Sequence, residues 1–345
     1  MTAPIPHSEC LRIPLPAKAG LTIMLLAKHA RSDGSKDAQD GNHATYHHEL
    51  RETLRDIGLN VVAADHYEDL FERPDADFVI PLLNRGGFQN SEMLAPLMLA
   101  RHGLPYLGAT PIIRGTSDDK HLSKVLAQHH GVPTMPWRIY RRGGITPAMP
   151  DFQCERYVVK PNASSASWGI RVVEHWADAA AHIVHLNDGG HDAIVEPWVP
   201  LIDVAVPVVG GASGAWVLPA MAYLPDDPTH LRSYEEKRAL IEAGDDPLVP
   251  VTDPVLAAQL ESHTRKLLTE LWPFDYGRFE YRYDPETGAL RFMEVNLSCN
   301  LWSKKTISRS ARTLGVSHAD LVETIVAHSM MRQQLLPEIT IPLAA

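Results

Sequence analysis

Short apolar runs alternate with helical patterns along the first third of the chain, and this rhythm limits the fold more than any other feature. The runs Leu21–Ala27, Asn60–Ala64 and Asp77–Leu83 have the length and apolar content of buried strands. The helical segments are marked by Tyr46, Leu50, Leu54 and Ile57 after the first run and by Ser91–His102 after the third. Strands that alternate with helices predict βαβ units, and therefore a parallel sheet covered by helices.

A glycine-bearing loop, Asn84-Arg85-Gly86-Gly87, directly follows the third predicted strand. Ligands of parallel α/β sheets bind outside the carboxyl ends of the strands. The sequence therefore predicts that this loop, with its single arginine, faces a bound substrate.

Composition excludes several classes of protein. The 345 residues carry a formal net charge of −10 and no long basic run, whereas nucleic-acid binding needs clustered Lys and Arg. Cys10, Cys154 and Cys299 lie far apart, so neither a disulfide framework nor a zinc cluster is expected. Met1–Gly20 lacks the pattern of a signal peptide, and Leu21–Ala27 is too short to span a bilayer. We expect a cytoplasmic protein that binds neither nucleic acid nor membranes.

Two further units are predicted after the first. The second begins near Pro111, where Ser117 is the predicted N-cap of a helix that runs to about His129. Its other predicted elements are strands at Trp137–Arg141, Arg156–Lys160, Ile170–Val173 and Asp192–Glu196 and a helix at His175–Leu186. The third unit is predicted to contain strands at Asp203–Val209 and Ala215–Leu218, a helix from about Pro254 to Leu271, a hairpin and two closing helices.

The predicted hairpin carries the clearest chemical pattern. Its strands, Arg278–Tyr283 and Arg291–Asn296, alternate polar and apolar residues, and Asp284–Gly288 between them is a good turn. Antiparallel pairing centred on Thr287 places Glu280 opposite Glu294, and Arg278 opposite Asn296 on the same face.

Like charges directly opposite each other destabilise a sheet by about 0.2–1 kcal/mol. A divalent cation would make the facing carboxylates favourable, and Mg²⁺ prefers one or two carboxylates together with substrate phosphates. Spacing alone leaves two interpretations open: a metal site, or a solvated hairpin with scattered charges.

Seven short motifs, in order over roughly residues 75–330, resemble those of D-alanine–D-alanine ligases and other ATP-grasp enzymes. They are Asp119-Lys120, which opens a helix, Val158-Val159-Lys160-Pro161, the loop through Ser167 and Gly169, Val195-Glu196-Pro197-Trp198-Val199, Ser233-Tyr234-Glu235-Glu236-Lys237, Gly277-Arg278-Phe279-Glu280, and Phe292-Met293-Glu294-Val295-Asn296. The last of these is similar to the metal-binding strand of the family.

The resemblance implies a fold, a division of the chain and an activity. The fold is an α/β (α+β) ATP-grasp fold with a Rossmann-like N-terminal pre-ATP-grasp domain over residues 1–112. A central lid subdomain over 113–202 and a C-terminal catalytic subdomain over 203–345 follow. The activity is that of an ATP-dependent, ADP-forming carboxylate–amine ligase that uses Mg²⁺ or Mn²⁺ and acts on small amino-acid-like substrates. A homodimer is the candidate assembly.

The resemblance also implies a nucleotide site. Lys120 and Lys160 would bind the ATP phosphates as point charges, although the ordinary fate of a lysine is a solvated surface position. Ser167 would belong to a lid loop, with Ser164, Ser165 and Gly169, whose backbone N–H groups cover the phosphates. The adenine contacts would come from Glu196, the Pro197 carbonyl, the Val199 amide and the side chain of Met293. Asp203 would bind the ribose hydroxyls.

Metal and catalytic roles follow in the same way. Glu280, Glu294 and Asn296 would hold Mg²⁺, in a two-ion site, although the family has Asp at the position of Glu280. Lys237 would contact the transferred phosphate, and Arg278 would stabilise the oxyanion of the tetrahedral species.

The substrate regions depart from the cell-wall ligases. Ala27–Ser32 replaces their Gly-Gly-rich motif, and Leu297–Leu301 replaces their Pro-Gly turn. The segment Leu297–Ser308 is more similar to the ligases of mycosporine-like amino acid biosynthesis, which activate an enolised ketone. Arg85, Arg278 and Lys305 are predicted to form the acidic-substrate side of the pocket, and the alternative for Lys305 is a helix start with its head in water.

A different class also fits the motifs, namely a catalytically silent ATP-binding or regulatory protein of the same fold. The intact set Lys160, Glu196, Glu280, Glu294 and Asn296 favours an enzyme.

Overall fold

The computed structural model describes residues 7–83, 91–144, 147–164, 167–225, 227, 233–240, 248–297 and 299–337. Three separate sheets organise these residues. Their strands fall within residues 22–81, 138–197 and 202–296, so that each sheet corresponds to one of the three predicted units, the third starting one residue before its predicted boundary. The boundaries between the units stay a prediction.

The first sheet is parallel, as the βαβ rhythm predicts. Its strand order is β2-β1-β3, and Ile23 of the central strand pairs with both neighbours. From Ile23 to Leu26 the central strand is apolar and buried, because helices and further chain cover both its faces. The elements are α1 (Leu15–Gly20), β1 (Thr22–Leu26), α2 (His43–Asp56), β2 (Asn60–Ala64), β3 (Phe78–Pro81) and α3 (Leu94–Arg101), with short 3₁₀ turns at Tyr67–Leu70 and Ser91–Met93.

Two helices connect the first sheet to the second, and here the predicted cap is wrong. The chain forms α4 (Pro111–Asp118) and α5 (Lys120–His129) instead of one helix. The N-cap of α5 is Asp119, whose carboxylate accepts from the backbone N–H of Leu122. Ser117 lies inside α4 and donates its hydroxyl to the Arg114 carbonyl. Asp119 takes over as the cap because its backbone is extended, which ends α4 and restarts the helix.

The second sheet is antiparallel and has the strand order β4-β7-β5-β6. One helix covers it and buries Ala179, Ile183 and Leu186 against Val159 and Val195. The elements are β4 (Arg138–Tyr140), β5 (Tyr157–Pro161), β6 (Arg171–Val173), α6 (Trp176–Asp188) and β7 (Ala193–Pro197).

The third sheet is also antiparallel, with the order β11-β10-β8-β12-β13 and β9 added to β8. Helix α8 packs its apolar stripe on this sheet, while α10 packs on β8 and on α2 of the first unit. The elements are β8 (Ile202–Gly211), β9 (Gly214–Val217), β10 (Met221–Tyr223), α7 (Tyr234–Lys237), β11 (Leu248–Pro250), α8 (Pro254–Leu271), β12 (Tyr276–Tyr283), β13 (Leu290–Asn296), α9 (Thr306–Thr313) and α10 (His318–Arg332).

The predicted register of the hairpin β12–β13 is confirmed at the four candidate site residues that face each other. Glu280 pairs with Glu294, and Arg278 pairs with Asn296. The register then shifts by one residue, because Tyr281 pairs with Phe292 and leaves Met293 as a β-bulge. A bulge re-aims side chains locally. Met293 and Glu294, which strict alternation places on opposite faces, therefore line one cavity.

Within the described part of the chain, the length and apolar character that a membrane-spanning helix needs are not found together in any helix.

Candidate functional site

A cavity of about 320 Å³ lies between the second and third sheets. It is lined by the ends of β5 and β7 on one side and by β8, β12 and β13 on the other. The predicted site residues that the structure describes, apart from Gly169 of the lid loop, line this cavity: Lys120, Lys160, Ser164, Ser167, Glu196, Pro197, Val199, Asp203, Lys237, Arg278, Glu280, Met293, Glu294, Asn296 and Lys305. Arg85 lies outside the described residues, so its predicted place on the substrate side is not tested.

One end of the cavity contains a buried carboxylate between two ammonium groups. Glu196 Oε2 lies 2.7 Å from Lys160 Nζ, and Glu196 Oε1 lies 2.7 Å from Lys124 Nζ. Strands β5 and β7 bring Lys160 and Glu196 together because they are adjacent in the second sheet. Burial alone would raise the pKa of Glu196, but the two lysines outweigh burial and lower it to about 2. The glutamate is therefore ionised at neutral pH.

Lys120 begins α5 and points across the cavity. Its Nζ lies 3.1 Å from Glu294 Oε2 and donates to the Ser164 carbonyl at 2.8 Å. The start of the helix is held in place by Asn162, whose carbonyl accepts from the Lys120 N–H and whose side chain accepts from the His121 N–H. The structure thus brings together the ammonium group of Lys120, the carbonyl of Ser164 and the carboxylate of Glu294 on the predicted metal strand.

The pKa values of the two facing carboxyl groups of the hairpin are shifted in opposite directions. Burial raises the pKa of Glu280 despite the nearby Arg278, and Glu294 raises it further. Burial would also raise the pKa of Glu294, but Lys120 and Lys160 outweigh it and lower the value. Two close carboxylates in a partly dry site are unfavourable without a cation.

The donor set at this point suits a hard divalent ion. Glu280, Glu294 and Asn296 offer two carboxylates and an amide oxygen on one face of the hairpin, and Mg²⁺ prefers oxygen ligands of this kind. Arg278 forms an ion pair with Glu280 at 2.7 Å and approaches the Thr306 hydroxyl at 3.4 Å.

Two loops meet at the mouth of the cavity. Lys237 Nζ donates to Ser167 Oγ at 2.6 Å, which joins the segment Ser233–Leu240 to the predicted lid loop. Ser167 has a positive φ of 60°, a conformation that non-glycine residues rarely adopt. Gly169 also has a positive φ, and a Cβ there would lie 2.8 Å from the Pro161 ring, so this position requires glycine.

The segment Ser233–Leu240 also contacts the first unit. The Asn42 N–H donates to the Arg238 carbonyl at 3.0 Å, and the Arg238 side chain lies 3.7 Å from the Asp40 carboxylate. The segment therefore connects all three units beside the cavity.

The stretch after Glu196, which is predicted to be the adenine linker, lies on the wall of the cavity. Pro197, Trp198 and Val199 line the cavity, and the Trp198 ring is covered by the Arg156 guanidinium at 4.3 Å. Asp203, predicted to bind ribose, is 55% exposed and forms an ion pair with Arg282 at 2.8 Å.

The opposite end of the cavity is formed by the chain that follows the hairpin. Lys305 is the residue before α9; it is partly buried and lines the cavity. Asn300, Thr306 and Tyr223 complete this wall. Cys299 beside them is buried, and burial raises the pKa of its thiol to about 12.

Sequence reasoning missed several of these residues. Lys124 resembles a solvated helix lysine, and its only signal is the four-residue spacing from Lys120 that places both on one helix face. Asn300 and Thr306 lie in the segment Leu297–Ser308, whose resemblance to mycosporine-like amino acid ligases assigns neither residue a role of its own. Tyr223 lies on the short strand β10, which was not predicted.

Comparison with known proteins gives the family. Residues 126–327 match the family model described as D-ala D-ala ligase C-terminus. A D-alanine–D-alanine ligase of Maridesulfovibrio salexigens is 24% identical over 281 residues, which cover 80% of this chain and 90% of that protein. The uncharacterized protein y4sG of Sinorhizobium fredii is 30% identical over 246 residues, which cover 68% of this chain and 69% of that protein.

The fold also matches solved structures. The crystal structure of a Bacillus anthracis D-alanine–D-alanine ligase complexed with ATP aligns with a TM-score of 0.70 at 16% identity, over 92% of this chain and 99% of that one. The predicted ATP-grasp fold is thereby confirmed. The chain belongs to the D-alanine–D-alanine ligase-like family of ATP-grasp enzymes, which are ATP-dependent ligases that form C–N bonds.

Proposed function

We propose that the protein uses Mg-ATP to phosphorylate a small carboxylate and then joins it to the amine of an amino acid. The observation that supports this most strongly is the order of charges along one cavity. Lysines lie at one end, paired carboxylates follow on the hairpin, and Arg278 and Lys305 lie beyond them. A polyphosphate, a divalent ion and an acidic substrate require this sequence of partners.

ATP would lie with its base at the linker and its phosphates toward the hairpin. The linker carbonyl of Pro197 and amide of Val199 suit the adenine edge, and the bulged Met293 suits its face. Lys120 and Lys160 approach from two different elements, which would hold the phosphates from both sides. Lys237 and Ser167 would close the loops over them.

Glu280, Glu294 and Asn296 would hold the metal. When bound, Mg²⁺ would neutralise charge on the phosphates, which supplies much of the stabilisation in phosphoryl transfer. The protein contributes the position of the ligands on adjacent strands, where the pairing of Glu280 with Glu294 and of Arg278 with Asn296 fixes their separation.

The reaction would proceed in two steps. A carboxylate oxygen of the first substrate attacks the γ-phosphorus, the bond to the β-γ bridging oxygen breaks, and ADP leaves with an acyl phosphate in place. The amine of the second substrate then attacks the acyl carbon, loses a proton and expels inorganic phosphate. Arg278 would stabilise the oxyanion formed in this step, and the two meeting loops would exclude water from the acyl phosphate.

A second candidate is the same phosphorylation on the oxygen of an enolised ketone, followed by attack of an amino acid. It is favoured by the wall formed by Asn300, Lys305 and Thr306, because this wall belongs to the segment that resembles mycosporine-like amino acid ligases. In either reaction, Lys305 would favour a carboxylate on the acceptor.

The test is ADP release with Mg-ATP and pools of amino acids, run with and without added carboxylic acids and cyclic ketones, with mass spectrometry of the products. The proposal expects ADP only in pools that also yield a condensed product. A protein that binds ATP but releases no ADP with any pool would instead be a silent nucleotide-binding protein.

A further inference from the structure

Lys124 is a fully buried lysine that lies outside the wall of the proposed nucleotide site. Its side chain is 0% exposed, and it lies behind Glu196 and not on the wall of the cavity. Burial lowers the pKa of this lysine even though Glu196 opposes the shift. A buried ammonium group is unfavourable unless it is paired, so its presence here needs a reason beyond solvation.

The contacts of Lys124 fix its ammonium group in one place. Nζ lies 2.7 Å from Glu196 Oε1 and donates to Thr134 Oγ1 at 2.9 Å. Thr134 in turn donates to the Phe292 carbonyl at 2.8 Å, which ties the arrangement to the strand that carries Glu294. The Trp137 ring covers the group at 5.6 Å.

The two lysines approach different oxygens of one carboxylate. Lys160 takes Oε2 from the cavity side, and Lys124 takes Oε1 from the protein interior. Three charges thus give a net charge of about +1, because one carboxylate cannot neutralise two ammonium groups. Without Lys124, Glu196 and Lys160 would form a neutral pair.

We propose that Lys124 is a positioning residue that neutralises Glu196 from behind, so that the charge of Lys160 remains available to the ATP phosphates. Lys124 acts through Glu196 and never touches the nucleotide. The inference rests on the proposed nucleotide site, and it adds a residue that sets the strength of phosphate binding without changing the recognition of the base.

The experiment measures the binding of ATP and of adenosine by calorimetry to the full chain and to Lys124→Met. Methionine fills a similar volume without charge. We expect ATP affinity to fall by about tenfold or more, the size of a weakened charge-assisted contact, while adenosine affinity stays within about threefold. ATP affinity within about threefold of wild type, or an equal loss for adenosine, would overturn the inference.

A second variant separates charge from folding. Lys124→Met with Glu196→Gln removes both charges of the inner pair, and such buried replacements are often tolerated. Glutamine keeps a carbonyl oxygen for the adenine amino group. We compare this double variant with Glu196→Gln alone, so that the loss of the adenine contact is the same in both. Because glutamine leaves no carboxylate for Lys124 to neutralise, adding Lys124→Met should change ATP affinity by less than about threefold. A double variant that binds ATP at least about tenfold more weakly than Glu196→Gln would overturn the inference even if Lys124→Met alone does not fold.

Thr134→Val is the matched control, because it breaks the hydrogen bonds to Lys124 and the Phe292 carbonyl but leaves all charges. Its ATP affinity should stay within about threefold, and a loss as large as that of Lys124→Met would make the effect structural. Lys160→Ala distinguishes a failure of the proposed nucleotide site from a failure of the inference about Lys124. If it leaves ATP affinity unchanged, the proposed nucleotide site is wrong; if it weakens ATP and Lys124→Met does not, only the present inference is wrong.

Discussion

Glu196 and Glu280 lie on the wall of one cavity, yet their surroundings shift their pKa values in opposite directions. Burial raises the pKa of both carboxyl groups. At Glu196, two ammonium groups at 2.7 Å outweigh burial and lower the pKa to about 2. At Glu280, burial outweighs the ion pair with Arg278, and Glu294 across the hairpin adds to the rise.

The difference separates two kinds of site within the cavity. The end around Glu196 carries its cations in the chain itself. The end around Glu280 carries two facing carboxylates, and a cation from outside would relieve their repulsion. We expect changes at the second end to affect catalysis, and changes at the first end to affect nucleotide affinity.

The largest expected effect is the loss of turnover in Glu294→Gln. The amide keeps the shape of the side chain but not the charge that would hold the metal, so ADP release should fall by at least about 100-fold. Steady-state ADP release with Mg²⁺, and again with Mn²⁺, measures it.

Glu286→Gln, the same chemical change at an exposed position on the turn of the hairpin, is the control and should retain wild-type rates. Near-normal turnover in Glu294→Gln would remove this residue from the metal site and erase the distinction between the two ends.

The next effect concerns nucleotide affinity. Lys160→Ala removes a charge that lines the cavity, and a charge-assisted contact contributes about 1.5–3 kcal/mol. The dissociation constant of ATP should therefore rise by about one to two decades. Calorimetry measures it beside Lys266→Ala, an exposed lysine of α8. An unchanged constant would show that the end around Glu196 does not bind the phosphates.

A smaller effect is expected from the far wall. Lys305→Met keeps the apolar stem and removes the charge, so the KM of an acidic acceptor should rise by about tenfold while the KM of ATP stays constant. The neighbouring Lys304, which is exposed and lies over the Trp302 ring, provides the control as Lys304→Met. If neither constant changes in Lys305→Met, acceptor specificity lies elsewhere.

Sequence reasoning predicted the hairpin well because its information is local. The turn Asp284–Gly288 and the two-residue alternation fix the pairing of Glu280 with Glu294. The bulge at Met293 has no local signal, since no glycine marks it, and it depends on packing around the third sheet. The residues alone favoured Ser117 as the cap because Ser117 and Asp119 are both good capping residues, whereas the resemblance, in which Asp119-Lys120 opens a helix, agrees with the folded chain.

The spacing of the site residues along the sequence does not show that they lie close together in the folded chain. Lys120, Lys160 and Glu294 come from a connecting helix and two different sheets, and only the resemblance predicted them as neighbours. The role of Lys124 could not be predicted from the sequence, because it depends on the burial of the side chain and residue type alone does not show burial. The roles of all these residues stay predictions, as do Arg85, the cytoplasmic location and the homodimer.

The smallest effect is expected in the response to acid, and it again sets the two ends apart. Glu196 has a folded pKa of about 2 and an ordinary value of 4.5, so the unfolded chain binds its proton first as pH falls. Its contribution to stability is complete above about pH 4.5 and is lost as pH falls toward 2. The free energy of unfolding of the variant Lys124→Met with Glu196→Gln should therefore fall less steeply over this range than that of the wild type, in denaturant titrations at several pH values. Parallel curves would mean that Glu196 is not held ionised by its lysines, and the contrast with Glu280 would then disappear.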